Sequence, residues 1–303
     1  GNQGTATDAF RERVEIVRAD DLGDIEQVLV WNSGGGGGPR PIPKDEMPIP
    51  HYLAWDLWLG PREFRPYHKG WMRWHGWREF GTAQLGNWSV HSTNMQFMAF
   101  KVFELWYDRS LPVDRRAIRV RAEVSGIDKV CFPKWEITRY DIPERGVLPA
   151  YTVLWYNGLA APSFRETIEA PLGRRLVTGG PGPWVEHAGC LVVGSQGTIH
   201  STEHNSSYKL LPTDKCAGYE KPEPTLPRHG SHEREWVRAC RGGPKAMSNF
   251  DYGAVLMEFV LLGNVATQFD RPINFDPATM QCVGDEEADA ALRRQHRPGW
   301  EIW

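Results

Sequence analysis

The side chains best suited to chemistry are two asparagines and a histidine in the segment 85–100, which reads LGNWSVHSTNMQFMAF. On a helix, Asn87, His91 and Asn94 fall at positions i, i+4 and i+7 and form one polar stripe on an otherwise apolar surface. A stripe that faces bulk solvent usually carries lysine and glutamate, so this one predicts a wet cleft, with Trp88 beside it. Histidine is the side chain that titrates nearest neutral pH, and His91 is therefore a candidate proton carrier. A purely structural role for a single histidine is the alternative.

Tryptophan is unusually frequent, with 14 residues, and many of them precede this helix. We call the following residues the aromatic belt: Tyr52, Trp55, Trp58, Tyr67, Trp71, Trp74 and Trp77. They lie in the proline-rich stretch 39–80, which predicts a long irregular loop, and such loops are usually functional. Flat aromatic faces suit the C–H faces of sugar rings, but they also fill protein cores. We therefore predict a sugar contact for Trp71 and Trp74, and for their polar neighbours Arg65, His68 and His75, with core packing as the alternative.

The remaining pattern predicts helices at both ends of a group of strands. A helix is predicted over 6–20, a long one over 85–103, one that Ser231 caps, and one that Asn249 or Asp251 caps. The strand-like runs are 26–31, 117–124, 135–142, 150–156, a hairpin over 189–201, and 208–211. Strands clustered between helices favour an α+β domain with a large, mainly antiparallel open sheet.

The glycine run Gly34–Gly38 follows a predicted strand, as a phosphate loop would. A dinucleotide loop must lead into a helix whose N-terminus faces the pyrophosphate. Here the chain continues as PRPIPKDEMPIP, which cannot form a helix. The run is therefore predicted to be a flexible surface loop.

Other kinds of site are disfavoured by spacing. A looser polar set comprises Trp184, Glu186, His187, His200 and His204. His200 and His204 flank a predicted hairpin and turn, so they lack helical metal-ligand geometry, and we predict no metal site. The five cysteines are far apart and show no CxxC pair. A serine hydrolase is disfavoured because no G-x-S-x-G turn is present.

Composition excludes some partners. The 303 residues carry a net charge of −3 without a basic patch, which argues against a nucleic-acid partner. No apolar run approaches the roughly 18 residues of a membrane span, so no membrane association is expected. The first residues show no signal pattern, and the compartment stays open between cytoplasmic and exported, as in the periplasm.

Several motifs run in order along nearly the whole chain and resemble one family. They are GNQG (1–4), WDLWLGP (55–61), RPYH (65–68), FGTAQLGNWSVH (80–91), EWVRACRGG (235–243) and SNFDYGAVLMEFVLLGNVA (248–266). The family is the glucose–fructose oxidoreductase, inositol dehydrogenase and MocA group (Gfo/Idh/MocA), in its bacterial branch with a long C-terminal domain. The resemblance implies a single substrate-binding and oligomerisation domain over 1–303, with helices on one face of the sheet. It further implies that residues 1–25 are a linker helix following a Rossmann domain that is absent from this chain.

The resemblance also implies roles for individual residues. NAD or NADP is expected to be bound mainly by the missing domain, with Asn2 and Gln3 beside it. His91 matches the family's catalytic histidine, and Asn87 stands where the family usually has an aspartate. Asparagine can orient an imidazole but cannot stabilise its charged form, so His91 is expected to be a weak base. Asn94 and Trp88 are expected to contact the substrate.

The family's catalytic lysine comes from an E-K-P motif in the Rossmann half. Glu220-Lys221-Pro222 has the same letters but lies late, in a proline-dense stretch. It is interpreted as a solvated loop.

Three functions stay open at this point. The first is hydride transfer from a sugar or polyol hydroxyl-bearing carbon to nicotinamide, as the resemblance implies. The second is a non-redox carbohydrate-binding or carbohydrate-modifying module that reuses the fold, because fold does not fix function. The third is a structural module that assembles through the open sheet face as a homo-oligomer.

Overall fold

The computed structural model describes residues 2–178 and 186–301. Within these residues nine strands form one sheet. They are β1 Ile25–Asn32, β2 Ile118–Val124, β3 Glu136–Ile142, β4 Tyr151–Asn157, β5 Ala188–Gly194, β6 Thr198–Thr202, β7 Tyr208–Leu211, β8 Ile273–Asp276 and β9 Gln281–Cys282. All strands predicted from the sequence are present.

The sheet is open, with the order β7-β6-β5-β1-β4-β3-β2-β8-β9. Only β1 and β4 pair in parallel, with Leu29 opposite Leu154, and every other neighbouring pair is antiparallel. The predicted α+β class with a large, mainly antiparallel open sheet is confirmed.

The helices are α1 Asp8–Arg18, α2 Trp55–Leu59, α3 Val90–Ser92, α4 Asn94–Ala99, α5 Val113–Arg116, α6 Phe164–Leu172, α7 His232–Cys240, α8 Phe250–Ala266 and α9 Glu286–Leu292. Short 3₁₀ turns cover Gln3–Ala6, Trp74–Gly76 and Val102–Trp106, and a π-helical turn covers Leu85–Ser89. The predicted caps are confirmed for α7 and α8, because the Ser231 hydroxyl accepts from Arg234 N and the Asn249 amide oxygen accepts from Tyr252 N.

Alternate side chains of β1 pack into two separate hydrophobic cores, because successive residues of a strand point to opposite faces of the sheet. Val28 and Val30 join the main core with α1, α4 and α8. Leu29 and Trp31 point to the other face, where α6 covers them. Most helices lie on one face, as predicted, and α6 is an addition on the second face that the sequence analysis did not predict.

The second face of the sheet has a more open part at β2 and β3. There Arg121 and Arg139 are exposed, and the half-buried Ile137 and Leu154 lie between them and the core that α6 covers. Assembly through this face stays a prediction.

The glycine run Gly34–Gly38 was predicted to be a flexible surface loop, but part of it packs tightly against the backbone of residues 133–134. A Cβ on Gly35 would meet Lys134 O at 2.4 Å, and one on Gly36 would meet Pro133 O at 2.4 Å. Because backbone oxygens occupy this space, only glycine lets the two segments approach so closely. The run leads into irregular chain, and it does not begin a helix.

None of the helices within 2–178 and 186–301 is long and apolar enough to cross a lipid bilayer. The Glu220-Lys221-Pro222 segment is irregular, and Glu220 and Lys221 are exposed, which confirms the interpretation as a surface loop.

Candidate functional site

The predicted helix over 85–103 is wrong in its continuity. The chain makes the π-helical turn Leu85–Ser89, then α3 and α4, and ends in a 3₁₀ turn. A π turn inserts an extra residue and changes the direction in which later side chains point, and such turns are frequent at functional sites. The stripe expected from a regular helix is therefore split: Asn87 and His91 stay on one surface and Asn94 turns inward.

Asn87 and His91 line an open groove with a volume of about 490 Å³, which we call the His91 groove. Its opposite wall is the first part of α8, with Asn249 and Phe250. Asn2 closes one end, so the first described residue of the chain adjoins the histidine. The side chain of Phe250 is 94% exposed, which leaves an aromatic face free at the mouth of the groove.

The His91 ring is half-buried and lies 4.9 Å from the ring of His204, edge to face. The tilted ring of Trp88 lies 5.3 Å from His204 on the other side. Burial, and then the neighbouring His204, lower the pKa of His91 to about 4. The imidazole is therefore neutral at physiological pH, with a lone pair available to accept a proton.

The turn between β6 and β7 fixes the backbone beneath this histidine. The Asn205 amide donates to His91 O, and the Ser92 hydroxyl donates to Glu203 O at 2.9 Å. Gly4 packs against the same turn, since a Cβ there would meet His204 O at 2.1 Å. The N-terminal 3₁₀ turn, the histidine and the turn therefore form one packed unit.

Asn94 does not line the groove. It is 2% exposed, and its amide nitrogen donates to Thr5 Oγ1 at 2.7 Å. The Tyr252 hydroxyl donates to its amide oxygen at 2.6 Å. Both ends of the amide are satisfied by the protein, so the position of Asn94 favours a role in tying the N-terminal turn to α8 rather than the expected substrate contact.

No hydrogen bond joins Asn87 to the His91 ring within residues 2–178 and 186–301. Asn87 is exposed on the π turn and faces the same groove. Its predicted role in orienting the imidazole or the substrate stays a prediction.

Most of the aromatic belt packs with Leu59 and Cys131 into a small core of its own, whereas Tyr52 and Trp74 stay exposed. No belt residue lines the His91 groove. Trp71 is 6% exposed, and the Arg65 guanidinium stacks over its ring at 4.9 Å. Arg65 also forms a two-pronged ion pair with Glu79. These two residues are held by protein partners, as the alternative of core packing expects.

The other three residues predicted to contact a sugar are His68, Trp74 and His75. His68 Nδ1 accepts from Gly70 N at 3.0 Å, which fits a turn-stabilising role. His75 is half-buried, burial lowers its pKa, and its Nε2 atom is buried without a partner. Trp74 is 46% exposed and its ring meets His75 edge-on at 5.1 Å. None of them lines the His91 groove.

The looser polar set does not gather at one point. Glu186 accepts both prongs of Arg174 and the Val177 N–H, and it lies 3.5 Å from His200 Nε2. Burial lowers the pKa of His200 to about 4. His187 is exposed directly before β5, and Trp184 lies outside the described residues. No cluster of three metal-binding side chains occurs in the part of the chain that the structure describes.

The two predicted cofactor neighbours, Asn2 and Gln3, lie at the N-terminal 3₁₀ turn. Asn2 is half-buried in the His91 groove and Gln3 is exposed beside it. The only glycine-rich segment within these residues packs against Pro133 and Lys134 and begins no helix, so it offers no cradle for a pyrophosphate. Of the described residues, Asn2 is the predicted cofactor neighbour that reaches the groove.

No protein-family profile matches this chain, and no curated protein matches it.

Similar solved structures include oxidoreductases of the Gfo/Idh/MocA type. An oxidoreductase from Thermotoga maritima is 9% identical, with a TM-score of 0.44, over 92% of this chain and 62% of that one. The WlbA dehydrogenase from Bordetella pertussis, solved with NADH and UDP-GlcNAcA, is 10% identical, with a TM-score of 0.43, over 90% and 61%. A super-repressor mutant of Gal80p from Saccharomyces cerevisiae is 9% identical, with a TM-score of 0.44, over 92% and 65%. The chain thus spans less than two thirds of these proteins.

Two features of the site were missed from the sequence, a neighbour of His91 and one wall of the groove. His204 contacts the His91 ring only because β6 and β7 fold back beside the helix, and no local pattern in the sequence indicates this contact. Asn249 and Phe250 carried a signal, since a cap followed by an aromatic residue at a helix start places both at a helix N-terminus. The N-terminus of α8 also favours nearby negative charge, and Asp251 lies in its first turn.

Replacing Asn87 by Asp tests whether this position controls the histidine. A carboxylate near the imidazole stabilises its charged form, so the pKa of His91 is expected to rise above about 4. The pKa is measured by NMR titration of the His91 ring in both proteins. Asn87→Ala is the matched control, because it removes the amide without adding charge. An unchanged pKa in Asn87→Asp would show that the two side chains do not interact.

Proposed function

We propose that this chain is the substrate-binding domain of an NAD(P)-dependent oxidoreductase that acts on a sugar or polyol hydroxyl. The observation that supports the proposal is the His91 groove, where a neutral, half-buried histidine lies beside Asn2 and an exposed asparagine. The arrangement provides a proton acceptor next to the end of the chain where the resemblance expects the cofactor domain.

In this proposal, His91 accepts the proton of the substrate hydroxyl as the carbon–oxygen double bond forms. A bound nicotinamide cofactor would supply the acceptor for the hydride that leaves the same carbon. Asn87 and Asn249 offer amide groups to neighbouring hydroxyls, and the N-terminus of α8 stabilises the developing negative charge on oxygen. Phe250 offers an aromatic face for the C–H side of a sugar ring.

The test is an assay of the protein with its cofactor-binding half present. Reduction of NAD or NADP is followed by absorbance with a panel of sugars and polyols. We expect reduction with at least one of them, and no reduction by the isolated 303-residue chain. A full-length protein that binds neither nicotinamide cofactor would contradict the proposal.

A specific observation favours the non-redox alternative. Asn87 stands where the family has an aspartate, and a pKa of about 4 makes His91 a weak base for dehydrogenation. In that case the chain binds or modifies a carbohydrate without nicotinamide. Calorimetry with the same sugar panel on the chain alone separates the two, since tight binding without cofactor supports the alternative.

A further inference from the structure

A second open groove lies on the aromatic belt and shares no residue with the His91 groove. It has a volume of about 630 Å³, within the range of small-molecule sites. Its aromatic walls are Trp58, Trp74, Phe80 and Trp300. We call it the aromatic groove.

The groove is completed by the C-terminal segment. The Arg297 guanidinium donates to Gly60 O at 2.8 Å and forms an ion pair with Asp56 at 2.7 Å. Its backbone N–H donates to Pro61 O, and its side chain stacks over the Trp300 ring at 5.2 Å. Trp300 is therefore positioned against the belt by several specific contacts.

Charged groups at this groove are unevenly paired. Glu79 lines it and forms its two-pronged ion pair with Arg65. Arg62 also lines it, and among residues 2–178 and 186–301 it has no carboxylate within ion-pair distance.

We propose that the aromatic groove binds an acidic sugar, namely the pyranose ring of a uronic acid within an oligosaccharide. Trp74, which is 46% exposed, and Trp300 offer flat faces to the C–H side of the ring. Arg62 pairs with the sugar carboxylate, because arginine binds carboxylates in a two-pronged geometry. Glu79 keeps free lone pairs beyond its pairing with Arg65 and accepts hydrogen bonds from ring hydroxyls.

A nucleotide is the other ligand that combines stacking with negative charge. It suits this groove less well, because the Glu79 carboxylate repels a phosphate monoester, with a charge of about −1.5 to −2, more strongly than the single charge of a uronic acid carboxylate, and because ribose offers Glu79 fewer hydroxyls. The proposal does not depend on the proposed function of the His91 groove, since it concerns a separate set of side chains and is tested by binding alone.

The test is isothermal calorimetry on the whole 303-residue chain with trigalacturonate as the probe. Maltotriose is the neutral comparison and AMP the nucleotide comparison. Trigalacturonate is expected to bind at least tenfold more tightly than either. Trp74→Ala and Arg62→Gln are each expected to raise its Kd about tenfold, because each removes one of the main contacts of the ring or carboxylate.

Two matched variants show whether the loss is specific. Trp236→Ala removes a tryptophan that is 65% exposed elsewhere, and Arg109→Ala removes an exposed arginine. Both are expected to leave the Kd unchanged. If circular dichroism shows that Trp74→Ala does not fold, the Kd of Arg62→Gln for trigalacturonate still tests the proposal. The proposal is overturned by absence of trigalacturonate binding at millimolar concentration, by AMP binding as tightly, or by an unchanged Kd in Arg62→Gln.

Discussion

Under the proposed function, replacing His91 by Ala in the protein with its cofactor-binding half is expected to lower turnover of a sugar or polyol by roughly 10²–10⁴, the usual contribution of a general base. The imidazole is the only titratable side chain that lines the His91 groove within the described residues. Its loss leaves water or the bulk buffer to accept the hydroxyl proton. Because the proton moves in the transition state, kcat is expected to fall while KM changes little.

The control for this experiment is His51→Ala, since His51 is exposed and contacts only the neighbouring Tyr52 ring in the described structure. Turnover of His51→Ala should match that of the unchanged enzyme. A His91→Ala enzyme that retains full turnover would remove this histidine from the mechanism, whatever the sugar.

The pH profile of the unchanged enzyme follows from the lowered pKa of His91. The neutral form accepts the proton, and with a pKa of about 4 it is fully present at neutral pH. The rate limited by His91 should therefore stay level as pH falls from 7 to about 5 and decline through about pH 4. The same limb should move to higher pH in Asn87→Asp, because the added carboxylate favours the charged imidazole.

The strands were predictable because their side chains alternate or run continuously apolar over short lengths. Tyr151–Asn157 is rich in β-branched and aromatic residues, Ala188–Gly194 contains the continuous apolar run Cys190–Val193, and both strands lie inside the sheet. The start of α8 was predicted to within two residues, with Asn249 or Asp251 as the cap, and the structure assigns the cap to Asn249. These features are local, so neighbouring residues are enough to specify them.

The elements that the sequence analysis missed depend on contacts between residues that are distant in sequence, or have no clear helix or strand pattern of their own. Pro162 precedes α6 and Pro171 lies inside it, so the local sequence does not indicate a helix there. The helix forms because Phe164 and Ile168 pack against the face of the sheet to which β1 presents Trp31. Strand β9 has two residues and exists through its pairing with β8. Short segments of this kind have too few residues to show a period.

The candidate site was partly predictable for the same reason. Asn87 and His91 were identified because they are close in sequence, and the structure places both in one groove. The π turn that rotates Asn94 inward cannot be read from a regular helical period. Trp71 and its neighbour Arg65 are residue types common in sugar sites. In the structure Trp71 packs into a small separate core, and Arg65 stacks over its ring.

Replacing Arg11 by Ala is expected to destabilise the fold by about 3–5 kcal/mol, the usual cost of leaving a buried charge without its partner. Arg11 is fully buried, and it forms an ion pair of 2.8 Å with Glu235, whose side chain is 6% exposed. The same guanidinium donates to Thr5 O at 3.1 Å and to Pro227 O. The free energy of unfolding is measured by urea denaturation of the chain.

Arg109→Ala is the control, because Arg109 is exposed and surface substitutions usually change stability by less than about 0.5 kcal/mol. Glu235→Gln is expected to cost less than Arg11→Ala, since the amide keeps an oxygen for the guanidinium. A loss below about 1 kcal/mol in Arg11→Ala would show that water or neighbouring groups replace the pair.

This ion pair also connects two walls of the His91 groove. On one side Arg11 holds Thr5, in the 3₁₀ turn that follows Asn2. On the other side Glu235 accepts from Met247 N at 2.9 Å, just before the Asn249 cap of α8. Arg11→Ala should therefore weaken ligand binding in the molecules that remain folded, because it loosens both ends of the groove, whereas Arg109→Ala should not.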